Sequence, residues 1–373
     1  MDRILYKEIE TNEGLLEAAK NAKSGVLEHF AFQGIDFSAL KNSELGFKDC
    51  LFFGCLIPNE LQMRIKDDCV VFPNIRMPFN VFPNALYNAE TLYKGYDPEK
   101  EDSFNSCYDT LVYQHYISEG KQAKDIKETL TRSIHDHFIS DAMYDLLSNY
   151  GERSVVGIMG GHSLKRDDEG YRKIVLISKE LTEKGVLMMS GGGPGAMEAT
   201  HLGAWMAGRS IQEVDDALKI LCDASLSFNG GKWLSSAFQV MRKYPRDKKY
   251  RSLGIPTWFY GHEPATPFAS DIAKYFDNSI REDGILAIAK GGIIYTPGSA
   301  GTIQEVFQDA AQNHYCTFGY ASPMVFLGEE FFTKEVPVYP FIQDMVARGR
   351  YKNMILSITD NPAEVVDTII NWK

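Results

Sequence analysis

Two glycine-rich sequences in the second half of the chain carry the residue types that hold an anion. They are Ser190-Gly-Gly-Gly-Pro-Gly195-Ala-Met-Glu198 and Thr296-Pro-Gly298-Ser299-Ala-Gly301-Thr302-Ile-Gln-Glu305. Each follows a short apolar run and opens a helical pattern. Glycine lets backbone approach a ligand closely, and the helix that follows offers unsatisfied N–H groups and a positive dipole end. On this reading Gly192, Gly193, Gly195, Gly298, Ser299, Gly301 and Thr302 cradle a phosphate. A third turn, Gly157-Ile-Met-Gly160-Gly161-His162-Ser163, adds Gly160 and Gly161 at the same edge. The alternative is a set of tight strand-to-helix turns with no ligand. Neither of the first two sequences is a Walker A loop, because no Gly-Lys-Ser/Thr follows. Neither has the dinucleotide context, which expects an acidic residue about 20 residues downstream. ATP hydrolysis and hydride transfer are disfavoured.

The elements that position these turns are legible in the apolar pattern. Runs at 154–159, 185–190, 255–260, 292–296, 323–327 and 353–358 are short and near-continuously apolar, as strands buried on both faces must be. Helical segments fall between them at 168–184, 196–207, 233–243, 266–289 and 302–314. Alternation of this kind implies right-handed crossovers and a parallel sheet. The expected fold over residues 151–373 is therefore a Rossmann-like, doubly wound α/β domain, with its ligand beyond the carboxyl ends of the strands.

Residues 1–150 read as a separate accessory module. Residues 12–28 have helical spacing, and two further helices are expected near 105–119 and 121–150. Between them, apolar residues recur every fifth position: Phe30, Ile35, Leu40, Leu45, Cys50, Cys55. A second register runs Phe32, Phe37, Asn42, Phe47, Phe52. Period five fits neither strand nor helix. It resembles the coils of pentapeptide-repeat β-helices over about 30–57, the alternative being an irregular aromatic-rich segment. Five prolines between 58 and 98 mark extended loops. His135 and His137 lie two apart on a helix, so they face different ways. They read as ordinary surface or interface histidines, not as metal ligands.

At its glycine turns the sequence resembles the LOG ("lonely guy") family of nucleoside 5'-monophosphate phosphoribohydrolases, often mislabelled lysine decarboxylase. The family signature is Pro-Gly-Gly-x-Gly-Thr-x-x-Glu, against PGSAGTIQE at 297–305, and SGGGPGAMEA at 190–199 resembles its other phosphate-side turn. Arg281, sixteen residues before Pro297, matches the arginine that precedes the signature. The likeness covers about 153–330. Ser299 departs from the second signature glycine, and the arginine offset is one residue longer than usual.

The resemblance implies hydrolysis of the N-glycosidic bond of a nucleoside 5'-monophosphate, giving free base and ribose 5-phosphate. Positive charge develops on the ribose in such reactions, and a carboxylate near C1' stabilises it, attacks it or deprotonates the water. Glu305 lies one helical turn after Thr302, beside the phosphate cradle. Arg281 would hydrogen-bond the ribose or orient Glu305. The plainer alternatives are a carboxylate complementing a helix dipole and a surface ion pair with Glu282 or Asp283. The scheme needs no metal and no cofactor. A sensor or carrier that binds the nucleotide without cleaving it, or a transferase with another acceptor, fits the same residues. The preferred base stays open, since Trp258, Tyr260, His262 and Phe268 suit any stacked ring. The resemblance also implies a homodimer through the helices after the turns. One apolar face carries Ala199, Leu202, Ala204 and Met206, the other Ile303, Val306, Phe307 and Ala310. Alternatively, both faces pack on their own sheet.

Bulk properties agree with a small anionic substrate. A net charge of -11 over 373 residues repels nucleic-acid backbones, while a few amides and one arginine still bind a small phosphate. Six cysteines without a Cys-x-x-Cys pair point to a reducing compartment. No signal peptide or membrane span is evident, so the expected location is the cytoplasm.

Overall fold

Five of the six apolar runs become parallel strands, four of them covered on both faces. The structure, a computed structural model, describes residues 5–22, 24–222, 231–261 and 264–372. The chain divides into two units. One takes the residues up to Leu86 with Ser118–Tyr144; the other takes Tyr87–Ile117 with Asp145–Lys373. The division is thus not a single cut near 150, because residues 87–117 belong with the α/β unit.

That larger unit contains β1 (Val155–Met159), β2 (Leu187–Ser190), β3 (Ser252–Gly254), β4 (Asp271–Ile272), β5 (Ile293–Tyr295), β6 (Pro323–Leu327) and β7 (Ile355–Thr359). After β1 its helices are α1 (Glu169–Glu183), α2 (Ala196–Trp205), α3 (Ile211–Cys222), α4 (Gly231–Lys243), α5 (Asn278–Ile288), α6 (Ala300–Tyr315), α7 (Val338–Ala347) and α8 (Pro362–Trp372). The strand order is β4-β3-β2-β1-β5-β6-β7, with every pairing parallel. Successive side chains serve opposite faces. Val156, Ile158, Met188, Ile294 and Val325 join one core with residues of α1, α2, α3, α4 and α8. On the other face Tyr295 stacks on Phe326 at 5.1 Å, and Phe326 meets Tyr339 of α7. This is a Rossmann-like doubly wound sheet. Its halves run outward from the β1–β5 pair, so the turns after β1 and β5 part there and leave a crevice.

Several boundaries differ from the sequence pattern. The run 255–260 is not a strand; β3 ends at Gly254, and Thr257 forms only an isolated bridge with Tyr275. Its apolar character has another cause. Trp258 is fully buried, donating through Nε1 to Asp109 Oδ1 at 2.8 Å beside Lys274, whose Nζ lies 2.6 Å from the same oxygen. Of the helix expected over 266–289 only Asn278–Ile288 forms, and β4 occupies part of the remainder. α3, α7 and α8 escaped the sequence reading. Ala199, Leu202, Ala204 and Met206 are all buried within the chain's own core, as are Val306 and Ala310, while Ile303 and Phe307 are half-buried. No described helix is long and apolar enough to cross a membrane.

In the smaller unit the expected 12–28 helix stops at Lys20, and Val26–Glu28 is a strand. Of the two later helices, Tyr108–Glu119 falls almost wholly in the larger unit, and Ile126–Leu147 mostly in the smaller one. His135 is fully buried, with Nδ1 2.8 Å from Asp136 Oδ1, so it is not a surface histidine; His137 is exposed. The five-residue spacing is a stacked coil. Phe32 pairs in parallel with Phe52, and Leu27 with Phe47, each twenty residues apart. A corner every five residues returns the chain to its starting side after four sides, one strand spacing higher. Phe32, Phe37, Phe47 and Phe52 are completely buried, with ring centroids 5.1–6.1 Å apart. Asn42, the polar member of that register, is exposed. Truncating one ring leaves a cavity that neighbours on three sides cannot fill. Phe47→Ala is expected to cost about 3–5 kcal/mol, read as a lowered urea midpoint by circular dichroism. An unchanged midpoint would show that the ring stack is not what holds the coil.

Candidate functional site

Three backbone hydrogen bonds stitch the glycine turns together. Thr296 N donates to Met159 O at 2.9 Å, Gly161 N to Pro297 O at 3.0 Å, and Ala196 N to Gly161 O at 3.1 Å. Gly161 therefore ties the turn after β1 to the start of α2 and to the turn after β5. Gly195 makes the approach possible. Its φ of 70° is in the left-handed region, and a Cβ there would overlap the Gly161 and His162 carbonyls.

A cavity of about 660 Å³ opens over the crevice, within the range of small-molecule sites. Gly160, Gly161, Ser299, Gly301 and Thr302 line one part; Arg281, Glu282 and Glu305 line another; Met197, Tyr260 and Gln304 complete it with neighbouring residues. The structure thus brings together most of the residues singled out from sequence. Gly298 packs against Gly161 at the edge and is not on the wall. Gly192, Gly193 and Gly195 are buried beneath it, Gly192 against Pro256 and Gly254, and shape the turn without lining the cavity. Trp258 and Phe268 are likewise buried, Tyr260 is on the lip, and His262 lies outside the described residues.

The start of α6 is the helix end that opens onto the cavity. Its N-cap, Ser299, makes no side-chain cap, and no acidic residue occupies the first turn. The first intrahelical acceptance is by Ser299 O from Ile303 N, so the N–H groups of Ala300, Gly301 and Thr302 precede the helical ladder. α2 is different. Its first-turn Glu198 is buried in a two-pronged ion pair, receiving Arg166 Nε at 2.9 Å and Nη2 at 2.6 Å, with Tyr171 OH at 2.9 Å. Glu198 therefore anchors α2 to the segment after β1 and leaves the cavity to Met197.

Glu305 is half-buried on the cavity wall. Burial pushes its carboxyl up to about 7; Arg281 opposes that shift and Glu282 adds to it. Arg281 is held from behind: Nε donates to Ile255 O at 3.1 Å, and its guanidinium lies over Gly191, where a Cβ would displace it. One turn beyond Glu305, burial also pushes Asp309 up to about 7, although Tyr295 OH donates to Oδ2 at 2.8 Å. Below the turn after β2, His201 bridges Ser190 Oγ at 2.8 Å and Ser252 Oγ at 2.9 Å. Burial lowers its pKa to about 3, so it is a neutral strut joining α2, β2 and β3. Sequence spacing gave no sign of Asp309, His201 or the Arg166–Glu198 pair, since each depends on a partner from another element.

The arrangement defines a class: a doubly wound α/β protein with an uncapped helix start and a carboxylate of raised pKa at its switch point. Comparison with known proteins found no matching family model, and no curated protein matches the chain. Among solved structures the chain is similar to the molybdenum cofactor binding protein from the phototrophic bacterium Rippkaea orientalis, at 12% identity and a TM-score of 0.36 over 58% of this chain and 96% of that one. It is also similar to TM1055, at 17% identity and a TM-score of 0.36 over 59% and 99%.

Asp309 offers a test of burial. Folded, it keeps a proton to about pH 7 that the unfolded chain releases near 3.8, so its contribution to stability is lost as pH rises between those values. Asp309→Asn preserves an acceptor for Tyr295 and cannot ionise. Its unfolding free energy between pH 4 and 8 should fall less than wild type's, by roughly 2–4 kcal/mol. Parallel curves in urea titrations at the two pH values would contradict the burial argument.

Proposed function

We propose that the chain hydrolyses the N-glycosidic bond of nucleoside 5'-monophosphates. The observation that carries this reading is one wall of one cavity: the uncapped start of α6 and, within a turn of it, Glu305 with its carboxyl pushed to about 7 opposite Arg281. The 5'-phosphate accepts from the amides of Ala300, Gly301 and Thr302, with the Ser299 and Thr302 hydroxyls beside it. This places the ribose beside Glu305. As the bond from C1' to the base nitrogen breaks, the electron pair leaves with the base, which takes up a proton. Ionised Glu305 faces the positive charge left on the ribose. Water oxygen bonds to C1' and loses its proton, either directly to Glu305 or after the carboxylate has held the sugar. Arg281, held by Ile255 O, keeps part of the Glu305 population ionised at neutral pH and leaves hydrogen-bonding capacity for the ribose hydroxyls.

Glu305→Gln is expected to lower base release at least ~100-fold while nucleotide binding stays within about tenfold. Near-wild-type turnover would reduce Glu305 to a helix-start carboxylate. Because the ionised form acts, kcat should rise with pH through about 7 and level off above it; a fall across that range would instead make Glu305 a proton donor. The phosphate anchor is tested separately. AMP should be cleaved and adenosine should not, because losing the anchor removes orientation as well as affinity. Equal rates would take the phosphate role away from α6. Tight nucleotide binding without release of base would identify a non-catalytic binding protein.

A further inference from the structure

Phosphate at the start of α6 and ribose at Glu305 leave one part of the cavity for the base, and acceptors predominate there. The remaining wall carries Tyr260, Glu282 and Gln304, joined by hydrogen bonds. Gln304 Nε2 donates to Glu282 Oε1, and Asn278 Nδ2 donates both to Glu282 Oε2 at 2.6 Å and to Tyr260 OH at 3.0 Å. The amide donors are thus directed at Glu282. What they leave at Glu282 and Gln304 is acceptor capacity, the further lone pairs of the carboxylate and the Gln304 carbonyl oxygen, beside the O–H donor of Tyr260. The Tyr260 ring, 61% exposed, stands at the same lip and offers a flat apolar face.

Resting on the reading above, we propose that this wall is a base-reading rim that selects nucleotides whose base carries an exocyclic amine. The base stacks on Tyr260 and donates its amine hydrogens to Glu282. A carboxylate accepts well from such an amine, as Glu and Asp do from the cytosine amine in nucleic-acid recognition. It fits guanine best, because the ring N–H and the neighbouring amine point the same way and can meet both carboxylate oxygens. Hypoxanthine lacks that amine, and uracil presents a carbonyl where cytosine presents one, setting acceptor against acceptor. Asn278 and Gln304 are the positioning residues: they fix the carboxylate plane.

The test uses the purified full-length chain with GMP, IMP, CMP and UMP, base release being followed by chromatography. The expected kcat/KM is about tenfold higher for GMP than IMP and for CMP than UMP, the worth of one charge-assisted hydrogen bond at a half-exposed site. Glu282→Gln, which turns one acceptor into a donor, should bring both ratios to about threefold or less. Ratios near one in the wild type, or ratios that the variant leaves intact, would overturn the rim while the hydrolase reading stands. If no base is released from any of the four, titration calorimetry with the same nucleotides separates the two ideas. About tenfold tighter binding of GMP and CMP would uphold the rim and remove the hydrolase; equal affinities, or no binding, would overturn the rim.

Discussion

The site depends on how closely three backbone turns can approach one another. Gly161 gives its N–H to Pro297 and its carbonyl to Ala196, so a single residue sets the distance between the ends of β1 and β5 and the start of α2. A side chain at 161 would meet the Pro297 carbonyl and the Gly298 Cα, and one at 195 would enter the Gly161 carbonyl itself. Strand divergence creates a crevice in every doubly wound sheet. Here the stitching sets its width, and with it how the start of α6 stands against the turn after β1.

Charges away from the cavity hold that geometry. Arg166 and Glu198 are both almost fully buried, and two parallel hydrogen bonds plus Tyr171 satisfy the carboxylate. Such a pair adds little net stability over an apolar packing, yet breaking it strands a buried charge. It therefore tolerates one arrangement of α2 and penalises others. Asp109, Lys274 and Trp258 act similarly behind the segment that leads to Tyr260. Asp109 comes from residues 87–117, far outside the stretch that resembles a known family. The lip of the cavity thus leans on a part of the chain that the motif does not include.

Most of the sheet was legible because strands covered on both faces read as continuous apolar runs, and glycine marks the places where such strands turn sharply. The pattern failed where apolar residues had another reason to be buried. Residues 255–260 looked like a strand because Trp258 fills a polar pocket in the interior. Similarly, Gly192 and Gly195 looked like ligand contacts because glycine signals close approach without saying what approaches; here it is Pro256 and Gly254 for one, and the Gly161 and His162 carbonyls for the other. Glu305 was legible from its spacing after Thr302. Its raised pKa was not, because that comes from burial against elements distant in sequence. Gln304 gave no signal in sequence, because it meets Glu282 only where α5 lies beside α6.

The phenylalanine coil of the smaller unit has a consequence for how such a sequence can change length. Every fifth residue but Asn42 returns to the interior, and every twentieth stands above its own predecessor. An insertion of one or two residues would rotate all later side chains out of phase and carry phenylalanines to the surface. Five would keep the interior filled but swing the downstream chain round by a quarter turn. Only an addition of about twenty leaves both the ring column and the exit direction as they were. Descent should therefore lengthen or shorten this segment in whole storeys.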